Sequence, residues 1–243
     1  MKPFLLLATR AEDAIAEAER AAFLRFGRLA DESLRSIRME AAPLPPLDLD
    51  EYSGVIVGGS PFNASDSEKS PVQLRVEGEM SELLDEVVAG DFPFFGACYG
   101  IGTLGAHQGG VIDRQYGESI GAVEVAVTEA GRADAIFGEL PPTFNAFVGH
   151  KEGCSALPAN AVLLASSATC PVQAFRIKQN LYATQFHPEL TVDDLIGRIM
   201  AYRFEGYFEP AEMAATIARV RAAPRVSWPA RILRSFITRY SAD

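Results

Sequence analysis

The chain has 243 residues, of which 48% are hydrophobic and 22% are charged, an ordinary composition for a globular protein. A chain of this length forms one large α/β domain, or a domain with an appendage, and its core needs no disulfide or metal. With 32 acidic and 22 basic residues the formal net charge is −10. That charge argues against non-specific binding to nucleic acid or to an anionic membrane surface.

The cysteines and apolar segments exclude several further classes. Cys98, Cys154 and Cys170 are too few and too irregularly spaced for a disulfide framework or a zinc site. No segment is long and apolar enough to span a bilayer. The apolar run at 4–8 is too short for a signal peptide and leads into a charged amphipathic stretch, so we predict a first strand there. A reducing cytoplasm is the expected compartment.

The first hundred residues alternate short apolar runs with amphipathic stretches. The apolar runs predict strands covered on both faces, as in a parallel sheet. The stretches between them have helical spacing. This alternation favours an α/β fold with a doubly wound, mostly parallel sheet, in which ligands bind beyond the carboxyl ends of the strands. The predicted strands are 4–8, 34–39, 55–57 and 92–95, and the predicted helices are 12–29, 72–89 and 101–107.

The pattern changes after residue 110. Residues 118–128 alternate apolar and polar side chains, which is typical of an antiparallel strand. We predict a small antiparallel β subregion that leads back into the main sheet, followed by a helix. Its further strands are 144–148, 161–166, 172–177 and 181–186, and the helix is 192–202.

The last part of the chain is helical in composition. Residues 209–221 are rich in Ala and Arg, and 230–240 carry apolar residues on one face. We therefore predict one domain over residues 1–200 and a helical C-terminal extension over 201–243. The extension packs on the domain or forms an interface, including one between copies of the chain.

Cys98 stands in the sequence Gly96-Ala97-Cys98-Tyr99-Gly100, between a predicted strand and a predicted helix. A nucleophile at such an elbow needs small residues two positions before and after it, because strand and helix approach closely there. The helix N-terminus favours a thiolate. An isolated cysteine is more often a buried structural residue. The elbow alone leaves both alternatives open.

Two other strand ends carry residues that suit a site with Cys98. Gly58 and Gly59 end the strand at 55–57, where their N–H groups could hold an anion or simply form a turn. His187-Pro188-Glu189 follows the strand at 181–186. Proline keeps the preceding residue extended, so His187 and Glu189 can project on the same side. A carboxylate beside an imidazole stabilises the imidazolium, although a solvated surface turn is the alternative.

Taken together, these motifs resemble the class I (triad-type) glutamine amidotransferases. The matching stretches are Val57-Gly58-Gly59, Gly96-Ala97-Cys98-Tyr99-Gly100 and Gln185-Phe186-His187-Pro188-Glu189. Cys170-Pro171-Val172-Gln173-Ala174-Phe175 is similar to the amidotransferase domain of GMP synthase. The resemblance covers residues 4–200 and implies the flavodoxin-like amidotransferase fold, with no metal or other cofactor.

The resemblance also implies roles for individual residues. Cys98 would attack the glutamine side-chain amide, His187 would take the thiol proton and pass it to departing ammonia, and Glu189 would orient His187. The backbone N–H groups of Gly59 and Tyr99 would form the oxyanion hole. The product is glutamate, released from a cysteinyl thioester by water.

The substrate-binding motifs depart from the family's pattern. Where the family has a glutamine two residues after the second elbow glycine, this chain has Gly102. The family's Ser-His-Gly-Asp stretch appears as Gly149-His150-Lys151-Glu152. We expect the substrate to be bordered by Gly58, Gly102, Gly149, His150 and Glu152.

Three functions follow as alternatives. The first is a glutaminase acting on L-glutamine and supplying ammonia to a separate synthetase, since the chain has no Walker-type Gly-rich loop. The second is a stand-alone hydrolase of γ-glutamyl amides or peptides, which Gly102 favours. The third is an inactive regulatory or binding homologue that kept the fold.

Overall fold

The computed structural model describes residues 2–241 and contains a nine-stranded sheet. Five adjacent strands of that sheet are β1 (Phe4–Ala8), β2 (Leu34–Arg38), β3 (Gly54–Val57), β4 (Phe94–Ala97) and β11 (Leu181–Thr184). They lie in the order β2-β1-β3-β4-β11 and pair in parallel. Apolar side chains make β1, β3, β4 and β11 buried along their whole length, as expected for strands covered on both faces.

The other four strands pair antiparallel and continue the same sheet. They are β6 (Glu118–Val127), β7 (Thr143–His150), β9 (Ala161–Ser167) and β10 (Ala174–Ile177). Beyond β11 they lie in the order β10-β9-β6-β7. A separate two-stranded sheet joins β5 (Val111–Asp113) to β8 (Gly153–Ala156). The sequence did not predict β5 and β8, because three or four residues are too few to show a period.

Helices cover both faces of the sheet. They are α1 (Asp13–Gly27), α2 (Pro71–Gly90), α3 (Tyr99–His107), α4 (Glu129–Arg132), α5 (Val192–Ala201), α6 (Met213–Arg221) and α7 (Pro229–Tyr240). One core cluster contains apolar side chains of α1 and α7, and a second contains those of α2 and α3. The doubly wound α/β fold with C-terminal helices predicted from the sequence is confirmed. None of the helices in residues 2–241 is long and apolar enough to cross a membrane.

The C-terminal helix α7 is part of the core. Its apolar face is formed by Ile232, Leu233, Phe236 and Ile237, which are buried against the sheet. The ring of Phe236 lies 5.3 Å from that of Phe95 in β4, centre to centre. The division into regions 1–200 and 201–243 stays a prediction, and residues 1, 242 and 243 lie outside the described residues.

Truncating Phe236 is expected to destabilise the whole domain. The ring is fully buried and contacts aromatic side chains of β1, β4 and β11. Phe236→Ala should lower the free energy of unfolding by about 3–5 kcal/mol, because it removes apolar burial and leaves a cavity. Urea unfolding measures the loss. Phe204→Ala is the matched control, since its ring is 72% exposed and its change should stay within about 0.5 kcal/mol. Equal changes in the two variants would contradict the packing of α7.

Candidate active site

Cys98 occupies the sharp turn between β4 and α3 at the carboxyl edge of the parallel strands. Its backbone has φ 55° and ψ −90°, a conformation that is strained for a residue with a side chain. A Cβ on Gly96 would lie 2.6 Å from the carbonyl carbon of Gly100, so only glycine fits there. Strand and helix therefore approach as closely as the sequence predicts, and the thiol is partly exposed.

His187 and Glu189 lie at the end of the neighbouring strand. The His187 N–H donates to the carbonyl of Phe147 (3.0 Å), which holds the backbone extended. His187 Nδ1 lies 2.8 Å from Glu189 Oε1, and the Glu189 side chain is completely buried. The two side chains project on the same side, as the His-Pro-Glu spacing predicts. Arg198 Nη1 also lies 3.1 Å from Nδ1. The carboxylate of Glu189 can only accept, and its contact is the shorter one, so we assign a proton to Nδ1, which leaves Nε2 for Cys98.

The charges of His187 and Glu189 shift each other's pKa. Burial lowers the pKa of His187, but the carboxylate of Glu189 and the sulfur of Cys98 outweigh burial and raise it to about 9. Burial raises the pKa of Glu189, but the charge and hydrogen bond of His187, with the Arg198 guanidinium, lower it to about 2. The geometry therefore favours an imidazolium beside the Glu189 carboxylate.

Arg198 on α5 adds a cation behind the imidazole that the sequence analysis did not predict. Its Nη2 lies 3.0 Å from Glu189 Oε1 and 3.2 Å from Glu19 Oε1. Glu19 on α1 also accepts from Arg10 Nε at 3.2 Å. These side chains are nearly or completely buried. Arg10 could have been found, because it follows the carboxyl end of the first predicted strand. Glu19 and Arg198 lie inside helical patterns, where nothing distinguishes them from surface charges.

The raised pKa of His187 predicts how its stabilising effect depends on pH. An ordinary histidine has a pKa of about 6.5 in the unfolded chain, and the pKa of His187 is raised to about 9 in the folded protein. Its contribution is therefore fully present below pH ~6.5 and is lost as pH rises through about 9. His187→Gln should destabilise the protein most near pH ~6, by roughly 3 kcal/mol, and least above pH ~9. Urea unfolding of wild type and His187→Gln at three pH values measures the difference in their free energies of unfolding. A difference that does not change with pH would contradict the raised pKa of His187.

A narrow cavity that is open to solvent lies beside the thiol. Six of the predicted site residues line it: Cys98, Tyr99, Gly102, Gly149, His150 and Glu152. The Glu152 carboxylate accepts from the N–H groups of Ala64 (2.7 Å) and Ser65 (2.8 Å). One of its oxygens lies 3.7 Å from where a Cβ on Gly102 would stand. The Glu152 carboxylate, from the loop after β7, therefore borders the open space beside Gly102 in α3.

His150 is held by two hydrogen bonds on the edge of this cavity. Its Nδ1 lies 2.7 Å from the carbonyl oxygen of Glu152, and its Nε2 lies 2.8 Å from Glu118 Oε2. Burial raises the pKa of Glu118, but hydrogen bonds from His150 and Thr169 prevail and lower it. His150 therefore has two partners and fixes the loop that carries Glu152. Glu118 was not predicted, since it is the first residue of an alternating strand.

Gly58 and Gly59 lie behind the wall of the cavity. A Cβ on Gly58 would lie 2.6 Å from Glu19 Oε2, and one on Gly59 would lie 2.8 Å from His187 Cε1, so neither position has room for a side chain. The Gly59 N–H donates to Glu19 Oε1 at 3.3 Å. The residue after them, Ser60, lines the cavity in their place. The predicted oxyanion role of Gly59 stays a prediction, and it requires this N–H to turn away from Glu19.

A second cavity of about 450 Å³ lies on the other side of Cys98. His187, Arg10 and Arg198 line it together with apolar side chains of Ile120, Leu190 and Leu195. Within residues 2–241, no group of three or more His, Cys, Asp or Glu side chains is arranged to hold a metal ion.

Cys154 and Cys170 differ from Cys98 in their surroundings. Both side chains are buried. Burial raises the pKa of Cys154 to about 11 and that of Cys170 to about 12, so both remain protonated thiols at neutral pH. Cys98 is the thiol that stands beside a cavity and a histidine.

The fold and this group define a class: a doubly wound α/β protein with Cys98, His187 and Glu189 gathered at the carboxyl edge of its parallel strands. A model of the family "Glutamine amidotransferase class-I" matches residues 30–203, well over half of the chain. The chain belongs to the class I glutamine amidotransferases.

Several known proteins are similar to this chain. A glutamine-hydrolyzing GMP synthase subunit of Thermoplasma acidophilum is 31% identical over 144 residues, covering 59% of this chain and 66% of that protein. The glutamine-hydrolyzing GMP synthase of Salmonella typhimurium is 31% identical over 57% of this chain and 26% of its own length. The match thus spans slightly under two thirds of the first relative and about a quarter of the second.

Among solved structures, a glutamine amidotransferase from Thermotoga maritima superposes with a TM-score of 0.78 over the full length of both chains, at 23% identity. One from Methylobacillus flagellatus superposes with a TM-score of 0.71 over 99% of this chain and 94% of that chain, at 19% identity. At these identities the likeness is one of fold.

Proposed function

We propose that this protein hydrolyses the side-chain amide of L-glutamine through a thioester on Cys98 and releases ammonia for a separate synthetase. The observation that carries the proposal is the position of Cys98: on a strained elbow, between an open cavity and the His187–Glu189 pair. The Thermoplasma relative, which is named as one subunit of its GMP synthase, supports a separate ammonia-accepting partner.

The chemistry proceeds in two halves. The Cys98 thiolate attacks the amide carbon, and the tetrahedral intermediate collapses as the imidazolium of His187 gives its proton to the departing nitrogen, which leaves as ammonia. Neutral His187 then takes a proton from water, which attacks the thioester. Glutamate departs, and the thiolate and imidazolium are restored. Glu189 keeps the proton on Nδ1 and stabilises the positive charge throughout.

The oxyanion of each intermediate needs N–H donors. The N–H of Tyr99 lies at the N-terminus of α3, where backbone donors lack helical partners. We assign it as the first donor. The second is the Gly59 N–H once it leaves Glu19, or the corresponding group of Ser60, which lines the cavity. Such donors are typically worth about 3 kcal/mol of barrier each.

We place the glutamyl part of the substrate in the first cavity, which Gln185 lines. The side-chain oxygen of Gln185 is buried and has no hydrogen-bond partner among residues 2–241. Buried polar atoms of this kind are normally satisfied, so a donor from the substrate is its natural partner. The α-ammonium of glutamine, with the Glu152 carboxylate close by, suits this position.

The test is direct turnover of L-glutamine by the purified chain, measured as glutamate and ammonia, together with labelling by a γ-glutamyl chloromethyl ketone. We expect glutamate and ammonia in equal amounts and one covalent adduct on the peptide that contains Cys98. Turnover that rises when a synthetase is added supports ammonia transfer. The absence of both products and of the adduct would favour an inactive regulatory or binding homologue.

A stand-alone γ-glutamyl amide hydrolase is the second candidate. Gly102 and the cavity on the far side of Cys98 favour it, because together they leave space around both ends of the amide. A panel of γ-glutamyl amides distinguishes the two candidates. Faster turnover of an N-substituted amide than of glutamine would make the second candidate the function.

A further inference from the structure

The segment 203–208 connects α5 to the C-terminal helices and passes the mouth of the site. It begins where the matched family region ends, at residue 203. The side chain of Tyr207 lines both cavities that meet at Cys98. A residue from outside the common family region thus forms part of the wall around the reacting sulfur.

Several contacts hold this segment in place. Lys151 Nζ donates to the carbonyl of Glu205 and stands 4.5 Å from the centre of the Tyr207 ring, a cation–π contact. Gly206 has φ +73°, which a residue with a side chain rarely adopts, and so permits the tight turn before Tyr207. Tyr207 Oη lies 3.5 Å from the carbonyl oxygen of Ser60. The ring therefore bridges the loop after β3 and the loop after β7.

Four residues line both cavities: Ser60, Cys98, Gly149 and Tyr207. Three of them have small side chains or none. Tyr207 is therefore the one bulky side chain on the shared boundary of the two cavities.

The chemistry gives the two cavities different roles. The glutamyl group occupies the first cavity, where Gln185 and Glu152 lie. His187 lines the second cavity and must reach the departing nitrogen, so that nitrogen faces the second cavity. A substituent on the nitrogen would extend into the second cavity and lie against the Tyr207 ring, which narrows the space there.

We infer that Tyr207 is a specificity-determining residue that restricts the amine side of the scissile amide, so that the site selects a primary amide over N-substituted γ-glutamyl amides. This inference rests on the proposed function. Removing the ring would join the two cavities and admit the substituent.

The test compares wild type, Tyr207→Ala and Tyr207→Leu on L-glutamine, γ-glutamyl methylamide and γ-glutamyl p-nitroanilide. We expect the ratio of kcat/KM for p-nitroanilide over glutamine to rise at least about tenfold in both variants, since about 1.4 kcal/mol of discrimination corresponds to tenfold. Phe204→Ala, in the same segment but 72% exposed, should leave that ratio within about twofold of wild type. Equal loss on all three substrates, or an unchanged ratio, would overturn the inference.

A second readout does not depend on turnover. The rate of Cys98 alkylation is measured with iodoacetamide and with fluorescein-5-maleimide, and the labelled peptide is identified by mass spectrometry. Tyr207→Leu should accelerate the bulky reagent at least about fivefold relative to the small one; equal acceleration of both, or of neither, would overturn the inference. If no amide is hydrolysed by wild type, the proposed function fails, and this ratio still decides whether Tyr207 limits access to the sulfur.

Discussion

Cys98→Ala is expected to abolish glutamine hydrolysis, with kcat falling by at least about 10⁴-fold, because it removes the sulfur on which the thioester forms. The fold should persist. Cys98 has φ 55°, and alanine places no larger group in that strained turn. Any activity that remains would come from binding and oxyanion donors acting on water.

Two matched controls separate the nucleophile from the loss of a thiol in general. Cys154→Ala and Cys170→Ala remove thiols that are buried away from both cavities. Both variants should keep kcat within about threefold of wild type, although each can lose about 1 kcal/mol of stability from the vacated volume. Steady-state kinetics, with glutamate as the detected product, measures kcat for Cys98→Ala and for the two controls. Full activity in Cys98→Ala would refute the thioester mechanism outright.

Arg198→Met should be the most damaging change that leaves Cys98, His187 and Glu189 in place. It removes the guanidinium that lies 3.0 Å from Glu189 Oε1, inside a buried group of charges. Leaving a buried carboxylate without one of its cations costs about 3–5 kcal/mol. Glu19 keeps Arg10 as a partner, so the loss should fall mainly on Glu189. Urea unfolding gives the size of the effect.

The same variant should change catalysis in a way that lost stability alone would not. The Arg198 charge lowers the pKa of both His187 and Glu189. Its removal should raise both values, so the alkaline limb of the kcat profile should move to higher pH. Arg198→Lys, which keeps the charge, should restore that limb toward its wild-type position.

A surface arginine supplies the comparison. Arg231 on α7 forms an exposed ion pair with Glu139, and the two side chains are 49% and 67% accessible, respectively. Arg231→Met should change stability by less than about 1 kcal/mol, because solvent screens exposed ion pairs. It should also leave the pH profile unmoved. If Arg231→Met and Arg198→Met behaved alike, the buried charge network would have no role in positioning His187.

Much of the site was predictable because its chemistry is concentrated at the ends of strands. Once four apolar runs indicated a parallel sheet, the residues after β3 and β4, including Cys98, were expected at one edge. His187 and Glu189 were joined to Cys98 by the motif resemblance, because the sequence analysis placed the strand before them in the antiparallel subregion, whereas β11 pairs in parallel with β4. The flanking glycine at 96 was predicted by the same steric argument that its 2.6 Å contact now supports.

Residues that depend on contacts across the fold were not predictable. Glu19 and Arg198 lie 179 positions apart, and each looks like an ordinary helix surface charge until α1 and α5 are packed side by side. Burial then turns them into an ion pair behind the imidazole. Tyr207 was missed for a related reason, since it lies in an irregular segment that carries no period and no motif.

The sequence by itself determined the class of fold, the elbow thiol and its histidine and glutamate, because strand ends, glycines and residue spacing are local properties of the chain. Only the tertiary structure decided where the Gly59 N–H points, what borders Gly102 and which bulky side chain lines both cavities beside Cys98. Each of these depends on a side chain brought from elsewhere in the chain: Glu19, Glu152 and Tyr207. Such long-range contacts arise from packing, which no local pattern encodes.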